Sequence, residues 1–356
     1  MNLEAWVVEE PGRPMARRRR EVTAGPGEVV IEVAGCGLCH TDLGFYYDAV
    51  PTRHPFPLTL GHEIAGRVVE TGEGAEEWRS CAVIVPAVIP CGACAACAAG
   101  RSSICPEQIF PGNDVHGGFA THVVVPSRGL CRVPDLRDPR RNPLGVELAQ
   151  LSVIADAVST PWEAIRRSGL ASGDLAVFVG AGGVGGFGVQ LAAAVGAAVV
   201  AIDVDERRLE RLAGCGASLV LNAAIGFREL KRAVRDFADR HDAPSWRRKI
   251  FETSGTAAGQ ATAFGLLEHG GHLAVVGFTP ERVELRLSNL MAFDATAQGN
   301  WGCPPEHYPA LVDLALSGKI ALQPFTERRP LSSINEAFAD VHAHRVDRRV
   351  ILSPER

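Results

Sequence analysis

Four cysteines, Cys91-x2-Cys94-x2-Cys97-x7-Cys105, are spaced so that their thiolates can converge on one tetrahedral metal ion. The small residues Gly92, Ala93, Ala95 and Ala96 fill the gaps, as a tight metal loop requires. Buried free thiols or a disulfide pair are the alternatives. With every coordination position taken by protein, the expected role is a structural zinc site that does no chemistry.

A second and different set lies upstream, in Gly35-Cys-Gly-Leu-Cys-His-Thr-Asp42 and Gly61-His-Glu63. The thiolate of Cys39 and the imidazole of His62 are borderline-soft ligands suited to zinc. An open catalytic site needs one more protein ligand plus water or substrate, and spacing alone does not locate it. Taken singly, Cys39 reads as a small core residue and His62 as a satisfied buried histidine. A nucleotide-binding turn further along the chain is what joins them.

That turn is Gly180-Ala-Gly182-Gly183-Val184-Gly185. It follows an apolar run at 175–179 and precedes Val184, Phe187, Gly188, Leu191, Ala192 and Val195 at helical spacing. Missing side chains let backbone N–H groups and a helix N-terminus approach a pyrophosphate. Asp203 closes the next strand, where a carboxylate can accept from ribose hydroxyls and repel a 2′-phosphate, so NAD is the expected cofactor. Arg207 and Arg208 read as a solvated helix face.

The elements around these residues have two rhythms. Residues 175–202 carry no charge, which by length would suit a membrane span, but their glycines divide them into a βαβ unit buried on both faces. Strands are expected at 218–221, 249–252, 272–277 and 297–302, with helices at 227–240 and 256–267, giving a doubly wound, six-stranded parallel sheet. Before it, residues 1–151 read as an all-β domain with turns, including strands at 28–33, 63–70 and 81–86. After it come helices at 309–316 and 334–342 and a terminal strand at 349–352, expected to return to the first domain.

The chain has 356 residues, 46% of them hydrophobic, enough for two cores. A net charge of -5 gives no overall basic field for nucleic acid, and the Arg17–Arg20 run reads as a solvated strand edge or loop. Ten cysteines behind no charged-then-apolar leader predict a reducing compartment, the cytoplasm, and no membrane association.

Together the Cys-His-Thr-Asp and Gly-His-Glu segments, the four-cysteine lobe and the glycine turn resemble the medium-chain, zinc-dependent alcohol dehydrogenases over essentially the whole length. The resemblance implies a fold of α/β plus β: a GroES-like catalytic domain over 1–151, completed by 303–356, and a Rossmann domain over 152–302. It implies NAD, two zinc ions per chain and a homo-oligomer, dimer or tetramer. Cys39 and His62 match the first two catalytic zinc ligands, and the segment Leu151-Ser-Val-Ile-Ala-Asp-Ala-Val-Ser-Thr160 places Asp156 third. Glu63 matches an acid that can approach the metal, Thr41 the hydroxyl that hydrogen-bonds the alcohol oxygen, and His40 a cofactor-phosphate contact.

Two departures stand out. Gly44 replaces the histidine that ends the proton relay in many members, and Asp156 replaces the commoner cysteine. Tyr46, Tyr47 and His54 lie nearby in sequence, with packing or pocket roles expected. His116, His269, His272, His342 and His344 match no ligand spacing.

A narrower likeness, to the 6-hydroxycyclohex-1-ene-1-carbonyl-CoA dehydrogenases, rests on segments 9–15, 111–113, 285–291 and 299–302. It implies a CoA thioester substrate, with Asn300 and Trp301 as ring-pocket candidates and Arg53 as a phosphate contact. A dehydrogenase of simple secondary or allylic alcohols, a zinc-independent enone reductase and a non-catalytic NAD-binding protein are the competing readings.

Overall fold

The structure is a computed structural model and describes residues 1–355. It divides into two compact units: Met1–Ser159 with Gly302–Gly318 and the chain from Leu322 onward, and Thr160–Trp301 with Lys319–Ala321. The division therefore falls eight residues beyond the expected end at residue 151. Its cause is the 3-10 segment Gln150–Ala155, which is almost wholly buried against strands Glu28–Gly37, Glu63–Thr71 and Ala82–Val85 of the first unit. Asp156 consequently stays with the first unit.

In the first unit one sheet runs in the order Thr326–Pro330, Arg349–Ser353, Glu28–Gly37, Glu63–Thr71, Ala82–Val85, Cys131–Arg132, with His122–Pro126 also paired to Glu28–Gly37. The terminal strand lies antiparallel to Glu28–Gly37, pairing Ile351 with Gly37 and Leu352 with Cys36. Ala16–Glu21 pairs antiparallel with Asn2–Val7, so the arginine run is a strand, and Arg17, Arg18 and Arg19 point to Glu4 and Glu9. An apolar core including Ile31, Leu60, Ile64, Phe119 and Phe338 fills the unit.

The second unit is a six-stranded parallel sheet ordered Leu219–Asn222, Ala198–Asp203, Leu175–Val179, Arg248–Glu252, His272–Val275, Thr296–Gly299. Every residue of Leu175–Val179 is buried, which accounts for the absence of polar residues there. Helix Gly183–Val195 stops at Gly196, whose φ of 93° provides the left-handed C-cap. The last strand stops at Gly299, three residues short of the expected 302, and the chain leaves the sheet. No helix is long and apolar enough to cross a membrane.

Candidate active site and metal centres

Strand Glu28–Gly37 delivers the chain to Cys39, which caps helix His40–Tyr47. Asp42 holds this corner: its Oδ2 accepts from Cys39 N at 2.9 Å and its Oδ1 from Gly61 N at 3.1 Å. The same Oδ1 lies 3.4 Å from His62 Nδ1, so Asp42 ties the helix start to the residues just before strand Glu63–Thr71. The opposite ring nitrogen, His62 Nε2, lies 3.5 Å from Asp156 Oδ2, and Cys39 Sγ lies 3.5 Å from the same oxygen.

One atom each from Cys39, His62, Glu63 and Asp156 falls within 4.8 Å of all the others. Bond lengths to zinc predict tetrahedral edges of about 3.5 Å for sulfur to oxygen and about 3.3 Å for nitrogen to oxygen. The observed separations fit a zinc ion.

Glu63 stands apart from the other three. Its Oε1 accepts from Ala157 N at 3.1 Å, and both its oxygens meet the guanidinium of Arg349, with Nε donating at 3.0 Å. Gly37 makes room, since a Cβ there would lie 1.9 Å from Glu63 Oε2. Arg349 also reaches Asp156, with Nη2 3.7 Å from Oδ2.

Burial raises the Glu63 pKa, and Arg349 works against that rise. For Arg349, burial pushes the pKa down but is overcome by Cys39, Glu63 and Asp156. Burial likewise works against a charged His62, yet Asp42 and then Asp156 hold its pKa well up. A pocket in which histidine and arginine are both pulled toward the cationic form is electrostatically ready for a dication.

Thr41 Oγ1 is 3.7 Å from Cys39 Sγ, adjoining the cluster, whereas His40 is exposed. The nearby aromatic and imidazole groups are occupied elsewhere. Tyr46 donates to Arg13 O at 2.7 Å, Tyr47 stacks on His342 at 4.1 Å, and His54 Nδ1 lies 2.6 Å from Pro55 O. Asp42 and Arg349 were missed by sequence reasoning. Asp42 sits inside the quoted Cys-His-Thr-Asp motif, a signal that was available, while Arg349 opens an apolar strand and gave none.

The four-cysteine lobe forms on its own stretch of chain. Cys94 caps the short helix Ala95–Ala98, and Cys105 ends a 3-10 turn. The Sγ separations are 4.0 Å for Cys91–Cys97, 3.5 Å for Cys94–Cys97 and 3.7 Å for Cys94–Cys105. Zinc–sulfur bonds predict about 3.8 Å. Backbone N–H groups of Ala93 and Cys94 point at Cys91 Sγ, and none of the ten cysteines is in a disulfide.

In the second unit the glycine turn has the expected shape. Gly180 has φ 100° and a Cβ there would lie 2.5 Å from Ser254 backbone, while a Cβ on Gly185 would lie 1.9 Å from Gly180 O. Gly182 caps helix Gly183–Val195. Val184, in the helix's first turn, follows Gly183. Asp203 accepts from Ala181 N at 2.6 Å through Oδ2 and from Val204 N and Asp205 N through Oδ1. Arg207 is solvated and pairs with Asp205, but Arg208 corrects the helix-face expectation: its Nη1 lies 3.8 Å from Asp203 Oδ2 and 3.7 Å from a Gly182 Cβ position. The guanidinium folds back over the turn because Asp203 attracts it.

The substrate-pocket candidates have partners already. Asn300 Oδ1 accepts from Arg167 and its Nδ2 donates to Gln298 O at 3.1 Å, Trp301 is half exposed, and Arg53 pairs with Asp114 at 3.3 Å.

A buried mixed-ligand cluster, a thiolate lobe and a strand-turn-helix phosphate cradle together define a zinc-binding dehydrogenase. Comparison with known proteins agrees. The family model described as "Alcohol dehydrogenase GroES-like domain" matches residues 25–135, and "Zinc-binding dehydrogenase" matches residues 183–317, more than half of the chain between them. The chain belongs to the medium-chain, zinc-dependent alcohol dehydrogenase family. An alcohol dehydrogenase of Geobacillus stearothermophilus is 29% identical over 332 residues, covering 92% of this chain and 91% of that protein. An L-threonine 3-dehydrogenase of Xanthomonas axonopodis pv. citri is 29% identical over 326 residues, covering 89% of each. The cobalt- and zinc-bound thermostable alcohol dehydrogenase from Pyrobaculum aerophilum superposes with a TM-score of 0.84 at 25% identity, covering 99% of this chain and 100% of that one.

Proposed function

We propose that this chain oxidises a secondary alcohol to a ketone with NAD⁺, and that the alcohol is borne on the ring of a CoA thioester, 6-hydroxycyclohex-1-ene-1-carbonyl-CoA, within anaerobic aromatic degradation. The observation that carries the dehydrogenase reading is the buried Cys39–His62–Asp156 set with Thr41 beside it. The thioester reading is supported by the four sequence segments quoted above. Relatives named as alcohol and threonine dehydrogenases favour a second reading, a dehydrogenase of simple secondary alcohols.

Cys39, His62 and Asp156 would hold the catalytic zinc, and Cys91, Cys94, Cys97 and Cys105 the structural one. The catalytic ion supplies Lewis acidity toward the alcohol oxygen, and NAD⁺ supplies the hydride acceptor. Asp42 orients the His62 ring from the Nδ1 side, leaving Nε2 as the ligand atom. Arg349 offsets the charge of Glu63 and Asp156 from behind. Thr41 Oγ1, beside Cys39 Sγ, would accept a hydrogen bond from the alcohol hydroxyl. Gly44 stands in this helix where many members of the family carry an imidazole.

Gly180, Gly182, Gly183, Val184 and Gly185 form the pyrophosphate cradle, with His40 as a further phosphate contact. Asp203 would disfavour a 2′-phosphate, against the opposing pull of Arg208 3.8 Å away. We also read the protein as a cytoplasmic homo-oligomer. Thr296–Gly299 is an edge strand with an unpaired side among the described residues, preceded in the chain by exposed Leu287 and Met291, which supports association through that edge.

The test is steady-state NADH formation from 6-hydroxycyclohex-1-ene-1-carbonyl-CoA, its free acid and simple cyclohexenols. A kcat/KM for the thioester at least a hundredfold above the others is expected. Comparable values would leave a general alcohol dehydrogenase.

A further inference from the structure

We propose that Arg20, His54 and His116 form an anion site that receives the phosphoester-bearing end of the substrate. Its place in catalysis rests on the dehydrogenase reading; its binding chemistry does not. Arg53, the phosphate contact expected from sequence, is neutralised by Asp114, whose second oxygen accepts from Phe110 N. The neighbouring cations are not neutralised. Within strand Ala16–Glu21, Arg17 and Arg19 pair with Glu4 and Arg18 with Glu9, whereas Arg20 has no ion pair or side-chain hydrogen bond among the described residues. Arg20 is also close enough to His116 to act on it electrostatically, and His54 and His116 rings lie 4.9 Å apart.

The hydrogen bonds assign the ring protons. His116 Nδ1 accepts from Thr59 N at 3.2 Å, so its proton sits on Nε2 as a donor. His54 Nδ1, 2.6 Å from Pro55 O, must carry a proton and donate, which leaves its Nε2 free of that contact. Burial first, then Arg20 and His54, depress His116 to about 4, and no carboxylate contributes. With Asp114 engaged by Arg53, the Arg20 guanidinium and the two imidazoles are cationic and cationisable groups that an anion would bring together. A phosphoester with two or more negative oxygens suits a guanidinium flanked by imidazole donors.

The position fits a remote substrate group. Thr59 lies three residues before His62, within about 10 Å along the chain. The loop that carries His116 also lays Phe110 against the His62 ring, with centroids 4.9 Å apart. Binding energy there would orient the reacting carbinol without touching it.

Two sources share this chemistry, the phosphates of a CoA ester and the phosphate of a phosphorylated polyol. Calorimetric titration of inorganic diphosphate into enzyme saturated with NADH, so that the glycine turn is filled, should show binding that Arg20→Gln weakens at least tenfold and Arg20→Lys largely restores. No binding by the unmodified enzyme, or equal affinity in Arg20→Gln, overturns the proposal. In turnover, Arg20→Gln should lower at least tenfold the kcat/KM ratio of CoA thioester to free acid, or of phosphorylated to unphosphorylated polyol; the ratio that falls names the source. If both ratios stay at their unmodified values the proposal fails. If no alcohol is oxidised the dehydrogenase reading fails, and the calorimetry still decides the site.

Discussion

At the scale of single residues, the metal cluster depends on groups that do not touch the metal position. Asp42 braces Cys39 N and Gly61 N and lies beside His62 Nδ1. Asp42→Asn keeps the shape but removes the charge, so a loss of about tenfold to a hundredfold in zinc affinity is expected, measurable by competition with a chelator. Zinc affinity equal to that of the unmodified protein would show that the imidazole is held by packing alone. Glu63→Gln leaves Arg349 buried without its principal partner. Breaking a buried pair in this way costs about 3–5 kcal/mol, and urea denaturation should register it. A change under about 1 kcal/mol would mean that Asp156 alone can satisfy the guanidinium.

These residues also show what the sequence could and could not disclose. Cys39, His62 and the four clustered thiols were legible because metal ligation restricts residue type and spacing together. Asp156 became visible only through family resemblance, since carboxylates are common and nothing about its neighbours is distinctive. Arg349 was not legible at all. Its partner Glu63 is 286 positions away, and pairing across such a distance is a property of the folded sheet.

At the scale of elements, the two motifs respond differently to damage. The lobe at 91–105 is closed by sulfur alone, so Cys94→Ser should lower bound zinc from two ions to one per chain and reduce the unfolding temperature, while changing His62 to Ala should abolish turnover with little loss of stability. Metal analysis with thermal melting checks both. The glycine turn is intolerant for a steric reason: Gly185→Ala drives a Cβ toward Gly180 O, and NAD binding should fall at least tenfold. The parallel sheet was readable in advance because strand and helix alternate with a fixed rhythm. Its last strand ends at Gly299, short of the expected 302, where Asn300 turns back to bond the Gln298 carbonyl.

At the scale of the whole molecule, stability should fall on mild acidification. Burial first, then nearby cations, push His116 and His272 to about 4, below the ordinary histidine value near 6.5. As pH drops from about 6.5 the unfolded chain takes up protons that the folded chain refuses until about 4, so folding stability declines across that window. His272→Gln should flatten the decline seen by urea denaturation at pH 7, 6 and 5; an unchanged slope would refute the assignment. The proposed association through the sheet edge predicts a dimer or tetramer by sedimentation, shifted toward smaller species by Met291→Glu.

Arg349 also bears on how the protein is made. A ribosome adding about 5–20 residues per second needs roughly 15–60 s to travel from Glu63 to its partner. Throughout that interval every side chain that could grip the catalytic metal, Cys39, His62 and Asp156 included, already exists or soon will, yet the cation that steadies them has not been synthesised. A nascent chain can thus acquire metal in the cysteine lobe early, but a settled catalytic pocket must wait for strand Arg349–Ser353. A chain interrupted before Arg349 would carry the ligands and lack the counter-ion that lets them stay buried together.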